Sequence, residues 1–197
     1  MKYISTRGNA PVLSFEDAML AGLARDGGLY VPETVPRMTS ADIIGMAGLS
    51  YEEIALRVIQ PFVGDSFSEA ELIDSISVAY AGFSHTARAP LVQLGPNHHL
   101  LELFHGPTLA FKDFAMQLIG QLFQRALNRR GERVTIVGAT SGDPGAAAIE
   151  AFKGLDTVDV FILFPNGKIS EVQRRQMTTQ RETNVPVSYT HLTLPTN

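Results

Sequence analysis

The sequence predicts an α/β protein in which a mostly helical N-terminal domain, residues 1–88, precedes an incomplete parallel βαβ domain, residues 89–184. Helix-capping signals dominate the first part, whereas apolar strands alternate with amphipathic helices in the second. Of the 197 residues, 45% are hydrophobic and 18% are charged, so the chain has enough apolar surface to build a core. A net charge of −4 argues against a nucleic-acid-binding surface.

The absence of cysteine and of long apolar runs excludes further classes of protein. Without cysteine the chain forms no disulfide, no thiolate metal site and no cysteine nucleophile. Polar residues interrupt the N-terminus before a signal-peptide core can form, and no apolar run approaches the roughly 18 residues of a membrane span. We therefore expect a cytoplasmic globular protein with neither nucleic acid nor membrane as a partner. The sequence leaves its oligomeric state open.

Serine followed three residues later by glutamate predicts two helices in the N-terminal domain. Ser50 with Glu53 and Ser68 with Glu71 both match this capping box, and helically spaced apolar residues follow each pair. An earlier helix is predicted to begin at Ser14, because acidic residues occupy its first turn. No catalytic constellation is visible in this domain, which is predicted to be a small helical one.

Strands and helices alternate in the second part, which predicts a parallel sheet. Only about two parallel strands are predicted, fewer than the usual four to six or so, so we interpret the chain as the N-terminal part of a larger protein. The predicted elements are strands at 91–94 and 100–104, a helix at 112–130, a strand at 133–137, a helix at 146–152, a strand at 158–164 and a helix from Ser170.

The last residues, 185–197, differ in composition from the rest of the chain. They contain no aspartate, glutamate, lysine or arginine, and they are rich in threonine and proline. They continue no pattern from the preceding residues, so no element is predicted for them. Both a native and a foreign origin of this tail remain open at this point.

Lys112 is the candidate nucleophile. It lies between Phe111 and Asp113-Phe114, at the start of the predicted long helix. The two phenylalanines would partly desolvate its amine, and a neutral amine is what Schiff-base chemistry requires. Asp113 would act in the opposite direction if it lies close. The alternative is a structural lysine whose aliphatic stem covers aromatic surface.

The segment Gly138–Gly145 is a candidate anion-binding turn because it connects a predicted strand to a predicted helix. Thr140 and Ser141 add hydroxyl donors there, and Asp143 could cap the helix. The segment matches neither the phosphate-binding loop of nucleotide hydrolases nor the dinucleotide-binding fingerprint. The alternative is a tight turn that binds nothing.

Histidines suggest a metal site at first sight, but their pattern does not support one. His98 and His99 are adjacent in a predicted strand, so their side chains would point to opposite faces. No acidic cluster accompanies them or His105. We therefore predict no metal site, and His105 attracts attention only because it precedes Lys112 by seven residues.

Several stretches together resemble the threonine synthases. Glu102–Ala115 is similar to the segment of that family that attaches pyridoxal phosphate, and Ala139–Asp143 resembles its substrate-anchoring turn. Pro144 departs from the family, which more often has threonine there. The resemblance runs in order from about residue 2 to 180, and its other parts are Arg25–Pro32, Leu163–Lys168, Gln173 and Gln176–Thr179.

This resemblance implies a fold type II enzyme, with a three-layer α/β domain, that uses pyridoxal phosphate to convert O-phospho-L-homoserine and water into L-threonine and phosphate. Lys112 would hold the cofactor through a Schiff base and then move protons, while Phe111 and His105 would pack near the cofactor. The family's later loop for the cofactor phosphate has no counterpart here, so this chain is expected to be inactive alone. The residues that would hold the substrate carboxylate and the O3′ side of the cofactor are Thr140, Ser141, Gly142 and Asp143.

Two other functions remain open from the sequence. A threonine dehydratase shares the fold and the cofactor, although the N-terminal extension with Asp26–Pro32 argues against it. A non-catalytic anion-binding α/β module would use Lys112 only structurally. An absorbance spectrum after addition of pyridoxal phosphate would separate that module from the enzymes.

Overall fold

The computed structural model describes residues 1–190, which fall into compact units. One unit is Met1–Ser77 and the other begins at Val78. A domain boundary near residue 88 stays a prediction. Residues 191–197 of the C-terminal tail lie outside the described residues.

The first unit is mostly helical, as its capping signals predict. Both predicted capping boxes are confirmed: the Glu53 amide donates to Ser50 Oγ at 3.2 Å, and the Glu71 amide donates to Ser68 Oγ at 3.3 Å. The elements are β1 (Tyr3–Ser5), α1 (Phe15–Ala21), β2 (Tyr30–Pro32), α2 (Ser40–Ile44), α3 (Tyr51–Val63) and α4 (Glu69–Tyr80), with β1 and β2 paired antiparallel.

Asp26 stabilises the turn that leads into β2. Its carboxylate accepts hydrogen bonds from Ser5 Oγ at 2.7 Å, from the Asn9 amide at 2.9 Å and from the Gly28 amide at 3.0 Å. A Cβ at Gly28 would collide with Ser5 Oγ, so glycine is required there. Hydrogen bonds, first of all that from Ser5, lower the pKa of Asp26. The Asp26-Gly27-Gly28 motif therefore has a structural role in this unit.

We expect Asp26→Asn to lower stability at pH 7 and to flatten its acid dependence. Because folding lowers the pKa of Asp26, its stabilisation is complete above the unfolded value of about 3.9 and is lost as pH falls through the folded value. Urea unfolding at pH 7, 4 and 3 measures this difference. Asp65→Asn is the control, since no hydrogen bond within residues 1–190 engages that side chain. Equal acid sensitivity of wild type and Asp26→Asn would contradict the prediction.

The second unit contains a parallel sheet, so the predicted α/β class is confirmed. Its strands run in the order β5-β6-β7 with all pairs parallel, and a separate antiparallel hairpin, β3-β4, precedes α5. The elements are β3 (Leu91–Gly95), β4 (His98–Leu101), α5 (Asp113–Arg130), β5 (Val134–Ala139), α6 (Asp143–Phe152), β6 (Val158–Pro165), α7 (Glu171–Thr178) and β7 (Val187–Thr190).

The core of this unit lies between β6 and its helices. Alternate residues of β6 are buried, as expected for a strand with one face against helices. Gly120 of α5 abuts the carbonyl oxygen of Ala151 in α6, so the two helices approach more closely than a side chain would allow. The main buried residues are Leu118, Leu122, Ala126 and Leu127 of α5, Ala147, Ile149 and Phe152 of α6, and Val158, Val160, Ile162 and Phe164 of β6.

The third strand, β7, was not predicted. It pairs with β6 in parallel from Ile162 opposite Val187 to Pro165 opposite Thr190. The expectation that regular structure ends before residue 185 is therefore wrong for 187–190. Val185 is buried and Val187 half-buried, and this alternation is the signal that the charge-free composition of the tail obscured.

Candidate active site

Lys112 lies at the entrance to α5 beside an aromatic ring. Its backbone is already helical, with φ −62° and ψ −23°, and its side chain is half-buried. Lys112 Nζ is 4.4 Å from the centroid of the Phe111 ring, a distance suited to a cation–π contact. None of the described residues forms an ion pair with this amine. Lys112 is therefore held by an aromatic face and remains open to a further partner.

A cavity of about 460 Å³ lies beside Lys112. Pro144, at the start of α6, forms part of its wall, so the cavity touches both the segment of Lys112 and the candidate anion-binding turn. Apart from Lys112, the lining side chains are apolar, which would shield a bound group from water. The cavity is lined by Leu103, Phe111, Lys112, Phe114, Ala115, Met116 and Pro144.

Asp113 holds the loop that carries Lys112. It is fully buried, with Oδ2 accepting from the Thr108 amide at 2.8 Å and Oδ1 from Thr108 Oγ1 at 2.6 Å. Gly106 packs against it so tightly that an added Cβ would lie 2.5 Å from the Asp113 Cβ. The loop turns through Leu109, whose φ of 62° is rare outside glycine. Asp113 thus shapes this loop and does not pair with Lys112.

Thr140 and Gly142 build the turn between β5 and α6. The buried Thr140 Oγ1 accepts hydrogen bonds from the Gly142 amide at 3.1 Å and the Gly145 amide at 2.8 Å. Gly142 has φ 138°, and a Cβ there would lie 2.5 Å from the Cδ of Gln173. The Thr140 hydroxyl and the Gly142 amide are therefore engaged within the turn, and their predicted contact with substrate stays a prediction.

Ser141 and Asp143 differ in whether their polar groups are already hydrogen-bonded within the protein. Ser141 is exposed, and no hydrogen bond within residues 1–190 engages its amide or its hydroxyl. Asp143 is half-buried, and its Oδ1 accepts from Gln173 Nε2 at 2.7 Å. Ser141 therefore offers donors to an anion near the start of α6, where the helix dipole favours negative charge. The carboxylate of Asp143 is held in one orientation by its hydrogen bond from Gln173.

His105 lies in a separate cluster. Its Nε2 is 2.7 Å from Glu102 Oε2, and its ring centroid lies 4.8 Å from that of Phe104 and 5.1 Å from that of His85, with the ring planes tilted against each other. It is not among the residues that line the cavity beside Lys112. The structure therefore does not bring His105 together with Lys112, and its packing near a cofactor stays a prediction.

Comparison with known proteins points to one family. A family model described as "Threonine synthase N terminus" matches residues 2–80. The threonine synthase of Pseudomonas aeruginosa is 59% identical over 179 residues, which cover 91% of this chain and 38% of that protein. The chain belongs to the threonine synthase family. The threonine synthase of Schizosaccharomyces pombe is 44% identical over 194 residues, covering 94% of this chain and 38% of that protein.

Solved structures agree with the family and the fold. A crystal structure described as pyridoxal-phosphate-bound threonine synthase from Brucella melitensis is 57% identical and superposes with a TM-score of 0.91. The match covers 95% of this chain and 40% of that chain. The predicted fold type II architecture of threonine synthases is thus confirmed. The chain spans about 38% of the length of the curated relatives cited above.

Two glutamines of α7 contact the same site, although no pattern in the sequence predicted a place for either of them in it. Gln173 contacts Asp143, and Gln176 Nε2 donates to the Thr108 carbonyl oxygen at 3.0 Å. The available signal was their spacing, because residues three apart lie on the same face of a helix. Both lie in stretches that resemble threonine synthases, but no contact could be inferred from that resemblance alone.

The described residues contain no metal-binding cluster. Within residues 1–190, no three histidines or carboxylates are arranged so that they could hold a metal ion. His98 and His99 are neighbours on the exposed strand β4. None of the helices in the same range is both long and apolar enough to cross a bilayer.

Proposed function

We propose that this chain is part of a threonine synthase that uses pyridoxal phosphate to convert O-phospho-L-homoserine and water into L-threonine and phosphate. The observation that carries the proposal is Lys112, which faces an apolar cavity without an ionic partner among the described residues. The 59% identity to the Pseudomonas aeruginosa threonine synthase supports it. A cytoplasmic location and a small-molecule substrate belong to the same proposal.

The residues beside Lys112 fit pyridoxal phosphate. Phe111 presents a ring that is 61% exposed, a suitable surface for a flat aromatic pyridine. The cavity of about 460 Å³ has room for that ring next to the lysine amine. Pyridoxal phosphate supplies an electron sink for carbanion chemistry at the substrate amino acid.

Each part of the site then has a task in the proposed reaction. Lys112 Nζ holds the cofactor and afterwards moves protons at the substrate carbons. The amide and hydroxyl of Ser141 bind the substrate carboxylate, while Thr140 and Gly142 keep the turn in shape. Apolar walls such as Phe114 exclude water from the reacting atoms.

Phosphate release from O-phospho-L-homoserine by the full-length protein, loaded with pyridoxal phosphate, tests the proposal. We expect phosphate and L-threonine in equal amounts. A 2-oxo acid formed from L-threonine instead would indicate a dehydratase. No change in the absorbance of added pyridoxal phosphate would indicate a non-catalytic module. Residues 1–197 alone, assayed in parallel, are predicted to be inactive, because they span only about 38% of the length of the threonine synthases that they match.

We expect Ser141→Ala to raise KM for O-phospho-L-homoserine about tenfold with little change in kcat. Hydrogen bonds to a charged group contribute about 1.5–3 kcal/mol, and the alanine loses the hydroxyl but keeps the amide. Steady-state kinetics of the full-length protein measures both constants. Ser77→Ala is the control, because that hydroxyl donates to the Ile73 carbonyl oxygen within α4. An unchanged KM would show that the Ser141 hydroxyl does not bind substrate.

A further inference from the structure

Helix α7 joins the two segments of the proposed site through two side-chain amides. Gln173 and Gln176 lie three residues apart and are both half-buried. Gln173 contacts the turn that contains Ser141, and Gln176 contacts the loop that carries Lys112. One short helix therefore holds both segments at a defined separation.

Gln173 has no freedom to rotate its amide without losing hydrogen bonds. Its Oε1 accepts from the Ser170 amide at 3.0 Å in the capping box of α7, while its Nε2 donates to Asp143 Oδ1 at 2.7 Å. Gly142 packs directly against its Cδ. The start of α7 therefore fixes the position of the Asp143 carboxylate and of the Gly142 backbone.

Gln176 completes the support of the Lys112 loop. Its Nε2 donates to the Thr108 carbonyl oxygen, whereas the amide and hydroxyl of Thr108 donate to Asp113. Thr108 is thus held on its donor side by Asp113 and on its acceptor side by Gln176. Met177, which follows Gln176 and is 1% exposed, anchors the helix in the core.

We propose that Gln173 and Gln176 are positioning residues: Gln173 sets the substrate-binding turn and Gln176 sets the Lys112 loop. This inference rests on the proposed function. A misplacement of about 1 Å can cost about a hundredfold in rate, so amides that fix both segments matter without touching the reacting atoms. The two residues act on different segments, so their replacement should have different kinetic consequences.

Gln173→Met and Gln176→Met in the full-length protein test the proposal, since methionine keeps the length of the side chain but donates no hydrogen bond. We expect Gln173→Met to raise KM for O-phospho-L-homoserine about tenfold. We expect Gln176→Met to lower kcat about tenfold and to slow the borohydride-trapped labelling of Lys112 by pyridoxal phosphate. Gln180→Met is the matched control, because among the described residues the Gln180 side chain hydrogen-bonds the Gln176 carbonyl oxygen, at the end of α7, and reaches neither segment of the site.

The different expected effects on KM and kcat separate a positioning role from a loss of stability. Partial unfolding would lower kcat per total protein in both variants and leave KM unchanged. Kinetics indistinguishable from Gln180→Met, after correction for the folded fraction, would overturn the inference. A wild-type protein that binds pyridoxal phosphate but releases no phosphate would instead overturn the proposed function. In that case the rate of Lys112 labelling in Gln176→Met against Gln180→Met still decides whether α7 positions the lysine loop.

Discussion

Replacing Lys112 with alanine is expected to reduce phosphate release from O-phospho-L-homoserine by about a thousandfold or more in the full-length protein. The substitution removes the amine that holds the cofactor and moves the proton. Folding should be little affected, because Lys112 is half-buried and its amine, 4.4 Å from the centroid of the Phe111 ring, forms no ion pair within residues 1–190. Phosphate release, thermal melting and mapping of the pyridoxyl-labelled peptide after borohydride reduction measure these effects.

Two control variants test whether activity depends on the Lys112 amine itself and not on positive charge or on another lysine. Lys112→Arg keeps the positive charge beside Phe111 but cannot hold the cofactor, so it should be as inactive as the alanine variant. Lys153→Ala should remain active and labelled, since Lys153 Nζ pairs with Glu150 at 2.7 Å at the end of α6. A pyridoxyl label on Lys153 or Lys168 in the wild type would contradict the assignment of Lys112.

Local patterns in the sequence predicted most of the fold. The capping boxes at Ser50 and Ser68 formed where expected, because a side chain that satisfies its own helix end needs no distant partner. Strand β6, predicted at 158–164, extends by one residue to Pro165. Strand β7 was missed, because the charge-free composition of residues 185–197 obscured the alternation of Val185 and Val187 with more exposed residues.

Contacts between distant residues could not be predicted. The Gln176–Thr108 hydrogen bond joins positions 68 residues apart, and no local pattern reports such a contact. The resemblance to threonine synthases singled out the segment of Lys112 and the turn before Pro144, but it did not predict that Lys112 and Pro144 line one cavity. It could not indicate whether the Thr140 hydroxyl faces a ligand or closes its own turn, because threonine does both in βα turns.

Asp113→Ala is expected to lower both the stability and the activity of the full-length protein. The substitution leaves the amide and hydroxyl of Thr108 buried without an acceptor, at a cost of about 1–3 kcal/mol for each unpaired group. The released loop also carries Lys112, so kcat should fall by about tenfold or more per folded molecule. Asp113→Asn keeps one carbonyl acceptor and should lie between wild type and alanine in both properties.

A double-mutant cycle with Thr108→Val isolates the hydrogen bond between the two side chains. Valine removes the Thr108 hydroxyl but keeps its amide, so in the Asp113→Ala background it has no Oδ1 partner left to lose. We expect the two losses in free energy of unfolding to be non-additive by about 0.5–3 kcal/mol, the range for residues in direct contact. Additive losses in urea unfolding would show that the 2.6 Å contact between Thr108 Oγ1 and Asp113 Oδ1 does not stabilise the loop. A fall in kcat that persists in Asp113→Ala despite additive losses would then assign the contribution of Asp113 to its hydrogen bond from the Thr108 amide and not to that from the Thr108 hydroxyl.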